Sequence, residues 1–159
     1  MKKSIIFGYA LFLFVFTASV GNACEPCAKI LNFEESVKEA DLIIIGQKVS
    51  EGPRSDFRGE GYGGPDWIEV KIMQVLKGER PAERIKVNSW DAMCDYGIVV
   101  EKDNVYVMLL KQRKVTDEDY QFDAVNFGCG VKIYALEGEF INFDGKRISV
   151  VDFKKELDF

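Results

Sequence analysis

Cysteine is the residue of this chain with the widest chemical repertoire, and it occurs four times. Cys24 and Cys27 are separated by two residues, whereas Cys94 and Cys129 stand alone. A C-x-x-C pair typical of thiol–disulfide exchange lies between a strand and a helix, and no strand is predicted before Cys24. A four-cysteine zinc site usually contains two close pairs. Disulfide bonding is the predicted role, and a thiol-disulfide oxidoreductase with a reducible Cys24–Cys27 bond is the alternative.

Histidine is absent from the sequence. This excludes Ser-His-Asp and Cys-His nucleophile systems, histidine general bases and histidine metal ligands. No serine lies in a Gly-x-Ser-x-Gly or Ser-x-x-Lys setting. We therefore expect a protein that is not an enzyme and that has no cofactor and no metal ion of its own.

Four cysteines allow three disulfide connectivities. A Cys24–Cys27 bond would close a very small loop and constrain the unfolded chain little. Bonds from this pair to Cys94 and Cys129 would close loops of about 70 to 100 residues, each worth roughly 4 kcal/mol in the chain-entropy model. Loop entropy thus favours long-range pairing.

The first 23 residues have the three-part pattern of a secretory signal peptide. Lys2 and Lys3 precede an apolar run over residues 5–16, and the small-residue end Gly21-Asn22-Ala23 follows. Twelve apolar residues are fewer than the roughly 20 that a membrane-spanning helix needs. Cleavage after Ala23 would leave 136 residues with 19 basic and 26 acidic side chains, a net charge of −7. Such an acidic, exported chain is a poor candidate for binding nucleic acid.

Cleavage at that point would make Cys24 the first residue of the mature chain. A cysteine in this position also suggests lipoprotein modification, although Gly21 stands where that signal has a Leu-like residue. We expect a secreted protein or one of the periplasm or cell envelope, held at a membrane only if Cys24 is lipidated.

The first part of the mature chain predicts a helix, a buried strand and a long loop. Residues 30–40 have helical periodicity, and Asn32 and Glu35 form a capping-box pair. The apolar run Leu42-Ile43-Ile44-Ile45 predicts a buried strand that reaches Val49, with a bulge or close approach at Gly46. Gly52 to Asp66 contains five glycines and two prolines and predicts a long mobile loop, of the kind that is more often functional or disordered than neutral.

Further strands are expected after this loop. In the first of them, Ile68, Val70, Ile72 and Leu76 should share one face. Ile85 and Val87 should point inward in the second. The predicted strands are Trp67–Leu76, Arg84–Trp90, Asn104–Leu110, Tyr120–Phe127 and Val131–Leu136, followed by a hairpin of Glu139–Phe143 and Arg147–Val151 around Asp144-Gly145. Asp152 is expected to cap a last helical turn, and Trp67 and Trp90 to pack in the core or at the barrel end. Together these elements predict a small antiparallel barrel or sandwich.

Several of these segments match a known family in their order and cysteine spacing. They are the N-terminal Cys24 and Cys27, the short helix, Ala40-Asp41-Leu42-Ile43-Ile44-Ile45-Gly46 with Val49, Val75-Leu76-Lys77-Gly78, Cys94, Tyr106-Val107-Met108-Leu109-Leu110, and Cys129-Gly130. Over about residues 24–136 the chain resembles the netrin-like domain, and within that family the N-terminal domain of the tissue inhibitors of metalloproteinases.

The resemblance implies a specific architecture. It is an all-β fold with short helices, a five-stranded OB-fold Greek-key barrel across which disulfides hold the N-terminal segment. The implied pairs are Cys24–Cys94 and Cys27–Cys129. With the leader at 1–23 and this domain at 24–136, residues 137–159 form a C-terminal extension with a β-hairpin and a short helix.

The resemblance also implies two possible roles. In the inhibitors, the amine and carbonyl of the first cysteine chelate the zinc of the protease, and the second residue enters the adjacent pocket; here these are Cys24 and Glu25. This chain has two residues between its first cysteines instead of one, and it lacks the third disulfide and second domain of the inhibitors. Netrin-like domains also serve as plain binding modules, so we expect a module that binds an extracellular or envelope protein, with metalloprotease inhibition as the narrower alternative. The expected contact residues are Cys24, Glu25, Pro26, Phe57 and Tyr62.

Overall fold

The computed structural model of the chain describes residues 29–54, 64–91, 96–113, 121–127, 130–143 and 145–157. In chain order the elements are α1 (Phe33–Glu39), β1 (Leu42–Glu51), β2 (Trp67–Lys77), β3 (Arg84–Asn88), β4 (Trp90–Asp91), β5 (Tyr96–Gly97), β6 (Val105–Gln112), β7 (Phe122–Ala124), β8 (Ile133–Glu137), β9 (Phe140–Phe143), β10 (Lys146–Ser149) and α2 (Val150–Leu157). No helix within these ranges is long and apolar enough to cross a membrane.

Helix α1 begins with the predicted capping box. The Asn32 side chain accepts a hydrogen bond from the Glu35 amide at 3.0 Å, and the Glu35 carboxylate accepts one from the Asn32 amide at 3.1 Å. Both bonds satisfy amides that have no partner within the helix. The local sequence is thus sufficient to start the helix at Phe33.

Five strands close into a barrel. β1 pairs with β2, β2 with β3, β3 with β7, β7 with β6, and β6 returns to β1. All these pairs are antiparallel except β3–β7, which is parallel and joins Val87 to Phe122. The protein is therefore mostly β with two short helices around an OB-like barrel, in agreement with the sequence prediction at that level.

Strands β1 and β6 are buried on both faces, which accounts for their unbroken apolar sequences. Successive residues of these two strands point alternately into the barrel and outward, and the outward residues are covered by α1, α2 and the β9–β10 hairpin. The barrel core contains Leu42, Ile44, Ile68, Val70, Ile72, Ile85, Val87, Ile98, Val100, Tyr106, Met108, Leu110, Phe122 and Ala124. The second core contains Ala40, Ile43, Ile45, Val107, Leu109, Val125, Ile141 and Phe153.

The alternation of β2 changes phase within the strand. Ile68, Val70 and Ile72 enter the barrel core as predicted, but Leu76 packs against the second core. The prediction that Leu76 shares their face is wrong. Met73 and Leu76 have no partner in the pairing with β1, and such a bulge changes which residues of the strand point inward. The predicted close approach at Gly46 is confirmed, since a Cβ there would lie 2.5 Å from Val70 Cγ1.

Two short strands, β7 and β8, lie one after the other along the same edge of β6. β7 pairs with the last residues of β6, and β8 pairs antiparallel with its first residues. Between them, the Lys132 amide donates a hydrogen bond to the Val125 carbonyl at 3.2 Å. The predicted Tyr120–Phe127 strand is shorter than expected at its end, because residues 125–127 form a turn; its predicted first residue, Tyr120, lies outside the described residues.

The C-terminal elements pack on the barrel. Phe153 is fully buried in the second core, and its ring lies 5.4 Å from the ring of Phe33. Two details of the prediction are wrong: the strand ends at Ser149, not Val151, and Ser149 is the cap of α2. The Ser149 hydroxyl accepts a hydrogen bond from the Asp152 amide at 3.1 Å, so Asp152 lies inside the first turn. Gly145 has the positive φ of +79° that a tight hairpin turn requires; Asp144 lies outside the described residues.

Candidate partner-binding site

All the predicted contact residues and cysteines lie outside the described residues. These are Cys24, Glu25, Pro26 and Cys27 before Lys29, Phe57 and Tyr62 between Arg54 and Gly64, Cys94 between Asp91 and Tyr96, and Cys129 between Phe127 and Gly130. The structure does describe the residues that adjoin each of these four segments in the chain. We call those residues the roots of the segments.

The root of the N-terminal segment lies beside the root of the Cys129 segment. A Cβ built on Gly130 would lie 3.9 Å from Ile30 Cγ2. Lys29 forms an ion pair with Glu35 at the start of α1, and the hydrogen bond from Lys29 lowers the pKa of the Glu35 carboxyl. The chain that follows Cys27 and the chain that follows Cys129 therefore meet at Ile30 and Gly130.

Helix α1 is fixed to the barrel by the end of β2. The Lys77 ammonium donates to the Val37 and Ala40 carbonyls, each at 2.6 Å. It satisfies carbonyl groups at the helix C-terminus and complements the helix dipole. Next to it, Gly78 has a φ of +86°, and a Cβ there would lie 2.4 Å from the Asp41 carbonyl oxygen. The Lys77-Gly78 motif thus holds the helix that leads from the N-terminal root.

The predicted loop between β1 and β2 is paired at both ends. The Gly52 amide donates to the Trp67 carbonyl and the Asp66 amide to the Pro53 carbonyl, both at 2.9 Å. Arg54 and Pro65 form a further β-bridge. Gly52–Asp66 is therefore not a loop throughout: its ends, residues 52–54 and 64–66, form a β-ribbon that we call the ribbon stem. This stem is the root of the segment that contains Phe57 and Tyr62.

Trp67 packs at the base of the ribbon stem. A Cβ on Gly52 would lie 2.5 Å from Trp67 Cε2, so the indole lies directly against the Gly52 backbone. The Lys86 ammonium lies 4.1 Å from the centre of the ring, within cation–π distance. The indole is half-buried, and it packs at the barrel end as the sequence predicted.

The last residue of strand β3, Asn88, and the next residue, Ser89, join the remaining roots. The Ser89 amide donates to the Asp66 carbonyl at 3.1 Å, and the Ser89 carbonyl accepts from the Ile98 amide at 2.7 Å. The Asn88 side-chain amide donates to Asp123 Oδ1 at 2.8 Å. We use the name barrel-end junction for six residues, which are Asp66, Trp67, Asn88, Ser89, Ile98 and Asp123. It connects the ribbon stem, the β4–β5 hairpin that contains Cys94, and strand β7, which leads to Cys129.

The sequence did not reveal Asn88, Ser89 or Asp123 as residues of this site. The predicted strand Arg84–Trp90 is wrong at its end, because β3 stops at Asn88 and Trp90 belongs to a separate pairing with Gly97. Isolated polar residues at strand ends form no motif. Their role depends on which strands the barrel brings together.

Among the described residues, two open cavities of about 540 and 550 Å³ lie elsewhere, and Phe33 lines both of them. They are lined by α1, α2 and the β9–β10 hairpin and not by the barrel-end junction. Within the described ranges, no three acidic or cysteine side chains come together to hold a metal ion.

No protein-family model matches the chain, and none of the curated proteins or solved structures compared with it matches either. The architecture and the contacts between the roots are therefore the basis for a functional assignment.

Proposed function

We propose that this chain is an exported protein-binding module of netrin-like type, built on an OB-like barrel. In this proposal the partner contacts the N-terminal residues Cys24, Glu25 and Pro26 together with Phe57 and Tyr62. Export is inferred from the pattern of the first 23 residues. The partner is an extracellular or envelope protein.

The observation that carries the proposal is that the separate segments have connected roots. Ile30 lies against Gly130, and Ser89 is hydrogen-bonded to both Asp66 and Ile98. Side chains from sequence-distant loops bind a partner together when a rigid scaffold fixes the ends of the loops. OB barrels commonly bind their ligands with strands and loops of this kind, while the identity of the ligand depends on the particular site.

The disulfide pairs Cys24–Cys94 and Cys27–Cys129 are part of the proposal. The proximity of Ile30 and Gly130 supports the second pair, because Cys27 precedes Ile30 by three residues and Cys129 immediately precedes Gly130. Mass spectrometry of a non-reduced peptide digest tests both pairs and also identifies the N-terminal residue and any lipid. A Cys24–Cys27 bond would contradict the pairing and favour the oxidoreductase alternative.

The binding function can be tested by site-specific photocrosslinking of the exported protein. A crosslinking amino acid is placed at Glu25, Phe57 or Tyr62 in separate variants, and at Met73 as a control. Met73 is 55% exposed on strand β2 and is not part of the barrel-end junction. The proposal expects one common crosslinked protein from the three test positions and none from Met73. A different set of products from each position, or the same set from Met73, would contradict a shared binding site.

Metalloprotease inhibition is a narrower form of the same function. The proximity of Ile30 to Gly130 supports it, because a root that lies beside the barrel would help to position the first residues of an inhibitor. The amine of Cys24 would then chelate the zinc of the target, and the reference pKa of about 8 for an α-amine allows the deprotonated form at low cost. Inhibition of a purified zinc metalloprotease should be lost when one alanine is added before Cys24. If the extended and unextended proteins act equally, the inhibitor mechanism is wrong and the binding module stands.

A further inference from the structure

Three polar atoms at the barrel-end junction are buried without a hydrogen-bond partner. They are Trp67 Nε1, Asn88 Oδ1 and Ser89 Oγ, and none of them is bonded within the part of the chain that the structure describes. Trp67 and Asn88 face each other across the β2–β3 pairing, and Ser89 follows directly. The three atoms therefore belong to one small region, at the base of the ribbon stem.

The contrast with another buried serine shows that this arrangement is unusual. Ser36 and Ser89 are both fully buried, at 0% exposure. The Ser36 hydroxyl donates to the Asn32 carbonyl at 2.6 Å, whereas the Ser89 hydroxyl is unsatisfied. A buried polar group without a partner destabilises the conformation that buries it, because the group loses its hydrogen bonds to water.

We infer that the barrel-end junction is a conformational switch. It is closed in this structure and opens locally, and its opening couples the ribbon stem to partner binding. In the open form the hydrogen bonds that the Gly52, Asp66 and Ile98 amides donate to the Trp67, Pro53 and Ser89 carbonyls are broken. The bond from the Ser89 amide to the Asp66 carbonyl is broken as well, and the three atoms become accessible to water or to the partner. The unsatisfied atoms lower the cost of opening in this region relative to the rest of the barrel. A partner bound at the ribbon stem stabilises the open form by forming hydrogen bonds with the three unsatisfied atoms.

The link to a partner rests on the proposed function, but the opening itself can be tested in the full mature chain alone. Amide hydrogen exchange is measured for Gly52, Asp66 and Ile98 in the wild type and in the variants Ser89→Ala and Ser36→Ala. Removing the unsatisfied hydroxyl of Ser89 stabilises the closed form, so these amides should exchange at least about fivefold more slowly in Ser89→Ala. Ser36→Ala is matched in chemistry and burial and removes a satisfied hydroxyl on α1, outside the junction, so it should leave the same amides unchanged.

Two results would overturn the inference. Unchanged or faster exchange in Ser89→Ala would show that the hydroxyl has a partner, so that the closed form is not strained. Equal slowing of core amides such as those of Ile44 and Met108 would show global stabilisation and no local opening. Neither result affects the disulfide map or the crosslinking pattern, so failure of this inference is distinguishable from failure of the binding function.

Discussion

Replacing Lys77 with methionine tests how strongly the barrel holds helix α1. The methionine keeps most of the apolar stem but removes the ammonium that donates to the Val37 and Ala40 carbonyls, each at 2.6 Å. A hydrogen bond to a charged group contributes about 1.5–3 kcal/mol. One half-buried ammonium serves both carbonyls, and water can reach them after the substitution. We therefore expect a loss of about 2 kcal/mol in the free energy of unfolding, which corresponds to a fall of about 6–10 °C in Tm.

Urea unfolding and thermal melting followed by circular dichroism measure this loss, and Lys71→Met is the matched control. Lys71 lies on the same strand with an exposed side chain, and it makes no hydrogen bond or ion pair with the described residues. The control should therefore stay within about 0.5 kcal/mol of the wild type. The reasoning is refuted if Lys77→Met and Lys71→Met have the same stability, since Lys77 would then contribute no more than a solvated surface lysine.

Three further predictions concern a glycine, a carboxylate and a core residue. Gly78→Ala should cost about 3 kcal/mol in unfolding free energy, because a Cβ there would collide with a backbone carbonyl; Gly138→Ala, at a φ of +65° with nothing within 4 Å, should cost about 1 kcal/mol. The pKa of Glu35 is lowered by its hydrogen bond from Lys29, so its contribution to stability is full above the ordinary value of 4.5 and is lost as the pH falls through the lowered folded value. Titration by NMR should show this pKa rising in Lys29→Ala, and an unchanged pKa would contradict the assigned cause. Phe153→Ala should lose about 3–5 kcal/mol in urea unfolding, and a loss below about 1 kcal/mol would show that α2 is not part of the second core.

Local sequence was sufficient for the elements whose determinants lie within a few residues. Asn32 and Glu35 specify the start of α1 because both partners of the capping box lie in one turn. The apolar run from Leu42 to Ile45 predicted a buried strand, and the two cores show that this strand is buried on both faces. For the candidate site, the sequence supplied the segments expected to make contact but not the junction that connects their roots.

Errors arose where a residue's environment depends on a distant strand. Leu76 continues the alternation of β2 in sequence, but the register with β1 moves it to the other core. Ser149 and Asp152 are both good capping residues, and the end of the β9–β10 pairing decides which of them caps α2. Asn88 and Ser89 gave no signal, because their partners Asp123, Asp66 and Ile98 are remote in the chain.

By itself, therefore, the sequence determined the order and type of the main elements, the acidic charge, the absence of histidine chemistry and the cysteine spacing, since each depends on composition or on short-range periodicity. The tertiary structure alone decided the parallel β3–β7 contact that closes the barrel, the division into two cores, and the meeting of Ile30 with Gly130. The physical reason is that strand register and barrel closure are set by pairings between residues far apart in the chain, and one bulge is enough to change which face of a strand is buried.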